Sequence, residues 1–276
     1  METLIPRILR PLKSSYFLFG PRGTGKTTYL HAKYSDALWV DMLDPNTFRT
    51  LSAKPERLSE MVLGIDKKTI VIDEVQKLPD LLDVVHSLME KQKGLKFVLT
   101  GSSARKLKRS GVDLLAGRAI KQMFHPFMAC ELKDSFNLNK ALKYGMVPVI
   151  VYSDDPQKAA NAYVSLYVKE EIQAESLVRN IGAFSRFLEA ISFSHASVLN
   201  ISNVARECSV ERKTVEGYVT ILEDLMIAYR IPTFQKKVKR HIVTHPKFYF
   251  FDVSLFKVLR PSGPLDDIGS IEGSAI

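Results

Sequence analysis

Residues 16–28, Tyr-Phe-Leu-Phe-Gly-Pro-Arg-Gly-Thr-Gly-Lys-Thr-Thr, run from an apolar stretch through a glycine-rich loop into a helix-forming segment. Tyr16 to Phe19 are apolar or aromatic without a break, as in a strand covered on both faces. Gly20-Pro21-Arg22-Gly23-Thr24-Gly25-Lys26-Thr27 then fits the phosphate-loop pattern G-x-x-x-x-G-K-[ST], between a strand and a helix as that pattern requires. The glycines let backbone N–H groups approach phosphate without an intervening Cβ, and the new helix points its positive end at the same charge. Lys26 is expected at the β/γ-phosphates and the Thr27 hydroxyl on Mg²⁺, with Thr28 beside them in the first helical turn. The implied ligands are ATP or ADP and Mg²⁺.

Outward from this loop, apolar runs at 37–42, 69–73, 96–100 and 119–124 alternate with helical stretches at 26–34, 56–63 and 81–92. β-Branched and aromatic runs separated by helices predict a parallel sheet sandwiched between helices, an α/β fold. The run 69–73 ends in Asp73 and is followed at once by Glu74, so both carboxylates fall at the C-terminal edge of a central strand. Ligands bind at that edge in open α/β sheets. Asp73 is the expected Mg²⁺ ligand, directly or through water, and Glu74 the base for the attacking water. The next run closes on Thr100-Gly101-Ser102-Ser103. A hydroxyl there, Thr100 first, reaches the γ-phosphate or the water; alternatively Ser102 or Ser103 caps a helix starting at Ala104.

After Asp154-Asp155-Pro156 the pattern turns helical, at 157–177, 183–193, 202–208 and 212–227. The last two, a short helix, a turn and a longer helix, have the cadence of a helix-turn-helix. Strands expected at 231–234 and 242–251 would flank a basic turn and make a winged helix. The expected domains are residues 1–153, residues 154–252 (helical and winged-helix), and 253–276 as the start of a further region.

The chain has 276 residues, 46% apolar and 25% charged, which excludes a disordered or fibrous protein and suits two domains. No apolar stretch is long enough for a bilayer, and no membrane association is expected. Cys130 and Cys208 match no metal or disulfide spacing, pointing to a reducing cytoplasm. Lys+Arg exceed Asp+Glu by 39 − 30 = 9. Two pentapeptides, 105–109 and 236–240, carry four positive charges each, so the excess is local. Each is either a solvated turn or an anion contact.

The segments GPRGTGKTT, TIVIDEVQK, FVLTGSS, LAGRAI and YGMVP together resemble a family of bacterial and archaeal AAA-type ATPases. In that family a P-loop domain precedes a helical and winged-helix region and then a restriction-endonuclease-like region. The resemblance implies a slow, Mg²⁺-dependent ATPase and spans nearly the whole chain. It makes Arg118 the candidate arginine finger, acting on ATP in a neighbouring copy of a homo-oligomer; the alternative is a salt bridge within its own subunit. It also brings Pro148 to the adenine, although Gly145-Met146-Val147-Pro148 stands where Gly-Gly-x-Pro is usual. The chain stops at Ile276 without the acidic and Lys residues of the nuclease-like region, so no nuclease activity is expected of it.

Within the helix-turn-helix, Val215, Tyr218, Val219, Leu222 and Leu225 form the expected buried stripe. Glu211, Glu216, Glu223 and Asp224 on the exposed side would repel DNA, whereas Lys236, Lys237, Lys239 and Arg240 on the wing could contact its backbone. A relay to a protein neighbour is the competing role. A nucleotide kinase shares the phosphate loop, but no Arg-rich lid segment is evident. The remaining rival is a nucleotide-dependent switch with little turnover.

Overall fold

The computed structural model describes residues 4–103, 115, 118–167, 180–232, 245–261 and 263. They pack as two compact units, Met1–His125 and Pro126–Ile276.

The first unit is the expected parallel sheet. Its strands are β1 (Tyr16–Phe19), β2 (Leu38–Asp41), β3 (Thr69–Asp73), β4 (Lys96–Gly101) and β5 (Ile120–Met123), in the order β2-β3-β4-β1-β5. The helices are α1 (Lys26–Lys33), α2 (Pro45–Ala53), α3 (Arg57–Leu63) and α4 (Leu81–Lys91). α2 is additional to the expected helices; Asp44 accepts the Thr47 N–H at 2.7 Å and Pro45 stands at N1. Tyr16 to Phe19, Ile70 to Ile72 and Phe97 to Leu99 are all shut off from solvent, which is why these strands read as unbroken apolar runs.

The second unit contains α5 (Ala129–Leu132), α6 (Leu138–Tyr144), α7 (Pro148–Val151), α8 (Pro156–Ala162), α9 (Ile181–Ser192), α10 (Ile201–Cys208), α11 (Arg212–Asp224) and α12 (Val253–Leu259). Strands β6 (Ser197–Val198), β7 (Ala228–Ile231) and β8 (Lys247–Phe250) form an antiparallel sheet ordered β6-β8-β7. The units divide at His125/Pro126, ahead of the expected boundary at residue 153. Residues 129–151 fold with the second unit because Val147 and Ile150 pack with Ala160 and Val258, and Met146 N–H donates to Asp252 Oδ2 at 2.8 Å.

Strand β7 begins three residues before the expected 231, and α11 ends at Asp224, not at 227. Met226 adopts φ 57°, and Ile227 N–H donates back to the Leu222 carbonyl at 2.8 Å, closing the helix. No glycine announces that stop. The predicted stripe of α11 is buried, in one core with Phe184, Phe187, Phe248 and Phe256. The basic pentapeptides 105–109 and 236–240 lie outside the described residues, as do 168–177 of the helix expected at 157–177.

His195 belongs to this core. Its Nδ1 accepts the Phe250 N–H at 3.1 Å, and its ring stacks on Phe256 at 4.7 Å. Burial pushes the imidazole down to about 4 from the ordinary 6.5. Between those pH values the unfolded chain binds a proton that the folded chain refuses, so stability is lost as pH falls through 6.5 toward 4. The expected loss is at most about 3 kcal/mol. Urea melts from pH 7.5 to 4.5 should show this acid loss reduced in His195→Leu; parallel pH dependences in both proteins would contradict it.

Candidate functional site

Strand β1 delivers the chain to Gly20 against β5. Phe124 N–H donates to the Phe19 carbonyl at 2.7 Å, and a Cβ on Gly20 would lie 2.2 Å from the Phe124 carbonyl oxygen. Only glycine fits there. Gly23 and Gly25 have φ 75° and 87°, which reverses the loop into α1. Gly25 is the N-cap of α1 with no side-chain cap, and no acidic residue stands in the first turn. The amides of Lys26, Thr27 and Thr28 therefore form an anion-accepting end.

Lys26 is 5% exposed, with Nζ donating to the carbonyls of Gly20 at 2.7 Å and Pro21 at 3.0 Å. Thr24 is buried and donates from Oγ1 to Pro21 at 2.8 Å. Arg22 is exposed beside them. Arg7 joins the loop without belonging to any motif. Its Nη1 donates to the Thr24 carbonyl at 2.9 Å, its Nη2 to the His125 carbonyl, and its guanidinium lies 4.1 Å over the Phe124 ring. This strap from the N-terminal segment fixes the back of the loop, and neither Arg7's position in the sequence nor its neighbours signal it.

Parallel pairing sets the ends of the central strands together: Ile72 stands opposite Leu99, and Leu18 opposite Thr100. Asp73, 2% exposed, consequently reaches the loop. Its Oδ2 accepts the Thr27 hydroxyl at 2.7 Å, and its Oδ1 accepts the Thr100 hydroxyl. Thr100 in turn accepts the Glu74 N–H at 2.9 Å. Thr100 is fully buried, and its two hydrogen bonds tie the two acidic residues together. Glu74 adopts φ 56°, ψ 46°, the left-handed region that a non-glycine residue occupies at a cost. Its Oε2 accepts from Gln76 Nε2 and, at 3.2 Å, from the Ser102 hydroxyl. Ser102 thus serves Glu74. Gln76 was missed altogether.

A hydroxyl and a carboxylate oxygen 2.7 Å apart beside an anion-accepting helix end are hard oxygen donors. They fit Mg²⁺, which takes one or two protein ligands and completes its shell with water and substrate phosphate. Among the described residues no group of three or more His, Cys, Asp or Glu forms a separate metal cage.

Arg118, 43% exposed, donates from Nη2 to Glu90 Oε1 at 2.9 Å and pairs through Nη1 with His86 Nε2, both on α4. This is the intrachain salt bridge that the sequence left open. Pro148 is buried at N1 of α7 in the second unit. Ahead of it, Gly145 has φ 82°, and a Cβ there would lie 1.9 Å from Asp252 Oδ1. Burial pushes the Asp252 carboxyl up, against the donors Ser254 and Met146 that favour its charged form. The Gly-x-x-Pro stretch therefore has a packing role within the second unit.

Residues 13–133 match the family model of the AAA domain, and residues 135–266 match one described as "Domain of unknown function (DUF8612)". An uncharacterized protein of Mycobacterium tuberculosis is 22% identical over 245 residues, 86% of this chain and 54% of the relative. One of Methanocaldococcus jannaschii is 21% identical over 268 residues, 85% of this chain and 60% of the relative. The chain spans little more than half the length of these relatives. A solved structure of the replication initiator DnaA, bound to AMPPCP and single-stranded DNA, aligns with 76% of this chain and 82% of that one. Its TM-score is 0.36 and its identity 14%. The first unit has the fold of an AAA-type domain, a five-stranded parallel sheet flanked by helices.

Proposed function

From an AAA-type domain in residues 13–133, we propose that the protein hydrolyses ATP to ADP and phosphate with Mg²⁺. The observation that carries this is the junction of Thr27, Asp73, Thr100 and Glu74 at one sheet edge. Gly20 to Thr28 cradle the phosphates, and Lys26 exchanges its loop carbonyls for β/γ-oxygens. Thr27 and Asp73 would hold Mg²⁺, which would neutralise charge on the transferred phosphoryl group. Glu74 takes a proton from water as the water oxygen bonds to the γ-phosphorus. The bond from the γ-phosphorus to the β–γ bridging oxygen breaks, and ADP departs with that oxygen. Phosphate released from ATP alone, with no acceptor, tests this and separates it from a kinase.

Arg118 is the candidate for a contact between copies, in which its guanidinium exchanges Glu90 for phosphate oxygens of a neighbour's ATP. Size-exclusion with light scattering should then show a larger mass on adding a slowly hydrolysed ATP analogue, and no such gain in Arg118→Ala. An equal gain in both would leave Arg118 in its own salt bridge.

A second reading, a nucleotide-dependent switch acting on DNA, is favoured by two observations. The succession of α9, β6, α10, α11, β7 and β8 supports a winged-helix reading, and the acids of α11 are not all bare. Glu216 is paired with Arg212 at 3.0 Å, and Glu223 takes Arg230 in a two-pronged contact from β7. The face is less repulsive to phosphate than its acid count suggests. Replacing Lys236, Lys237, Lys239 and Arg240 by Gln should weaken duplex binding uniformly. The slope of log affinity on log salt should fall by about 3.6, roughly 0.9 per contact. A wild-type protein that binds no duplex at low salt ends this reading.

A further inference from the structure

Resting on the reading of Glu74 as the base, we propose that Gln76 and Ser102 are positioning residues that hold one oxygen of Glu74 and present the other to water. The three side chains close a ring. Gln76 Nε2 donates to Glu74 Oε2 and, at 3.1 Å, to Ser102 Oγ, while Ser102 donates to the same Oε2 at 3.2 Å. Oε2 thus takes two donors, and Oε1 takes none among the described residues. A proton from water has one open destination, Oε1.

The surroundings are built for this ring. Gln76 and Ser102 are 7% and 4% exposed, so water competes little for their donors. The left-handed turn at Glu74 and the short helical turn Val75–Lys77 bring residue 76 back beside residue 74. Gly101 leaves room for the amide: a Cβ there would lie 2.7 Å from Gln76 Oε1 and 3.2 Å from the Phe19 ring. Gln76 Oε1 is itself buried with no hydrogen-bond partner among the described residues. Leaving a buried carbonyl unpaired costs stability. Turning the amide over would set that oxygen against the Glu74 carboxylate, so the amide is held by its donors. An arrangement that sacrifices one hydrogen bond to fix a carboxylate points to a demand on the carboxylate.

The test is steady-state hydrolysis and nucleotide calorimetry on the whole chain carrying Gln76→Leu, Ser102→Ala, Glu74→Gln, and Gln76→Leu with Glu74→Gln. Gln76→Leu should lower kcat about 10- to 100-fold, the range for a misplaced catalytic group, at unchanged ATP affinity. Ser102→Ala, which removes only a hydroxyl, should give a smaller loss in the same sense and serves if Gln76→Leu does not fold. In the Glu74→Gln background Gln76→Leu should cost nothing more, because a residue acting through Glu74 has nothing left to position. Wild-type kcat in both single variants overturns the proposal, and so does an undiminished Gln76→Leu loss in that background. A wild-type protein that binds ATP without releasing phosphate removes the hydrolysis reading and this proposal together. That result differs from clamp failure, in which wild type turns over and Glu74→Gln does not.

Discussion

Glu74→Gln should still bind ATP and Mg²⁺ and lose about 10²–10⁴-fold in turnover, the contribution of a positioned general base. The separation of binding from turnover follows from where Glu74 stands. Neither Thr27 nor Lys26 hydrogen-bonds to it: Thr27 gives its hydroxyl to Asp73, and Lys26 gives its ammonium to Gly20 and Pro21. The amide keeps the shape of the carboxylate and can turn its carbonyl toward Gln76 and Ser102, so the local packing survives. Only the ability to accept a proton is gone. Calorimetry with ATP and Mg²⁺, run beside a phosphate-release assay, decides the matter. A loss of affinity as large as the loss of turnover would make Glu74 a metal ligand or a structural group.

Lys26→Ala should weaken ATP by about 1.5–3 kcal/mol, the worth of hydrogen bonds to a charged group, or roughly 10- to 150-fold in Kd. The ammonium is 5% exposed and already sits between the Gly20 and Pro21 carbonyls, so its attraction to phosphate is little screened by water. The rest of the cradle is backbone. Gly23 and Gly25 keep their left-handed conformations, and Thr24 and Arg7 still brace the loop from behind. Binding is therefore weakened and not abolished. Titration calorimetry against wild type measures it, and an unchanged Kd would remove the phosphate-loop assignment.

The sequence alone determined the parallel sheet and its strands, and put the glycine loop and the two carboxylates at strand ends. Strand, glycine loop and helix follow each other along the chain, and the two carboxylates stand at a strand's end, so contacts within a few residues dictate both pieces. Tyr16 to Phe19 and Thr69 to Asp73 agree with the structure residue for residue. What only the tertiary structure decided is which distant groups meet. Thr100, Ser102 and Gln76 gather around Asp73 and Glu74 because β3 lies beside β4, and β4 beside β1, an order that strand spacing does not encode. Arg118 meets Glu90 and His86 through packing against α4, and Arg7 reaches Thr24 from a segment with no recognisable pattern. Glu74 and Met226 turn the chain in the left-handed region without glycine, so no residue type marks the turns. Such positions are imposed by the packing around them, which overrides the local preference of the residue, and a sequence read locally carries no trace of that force.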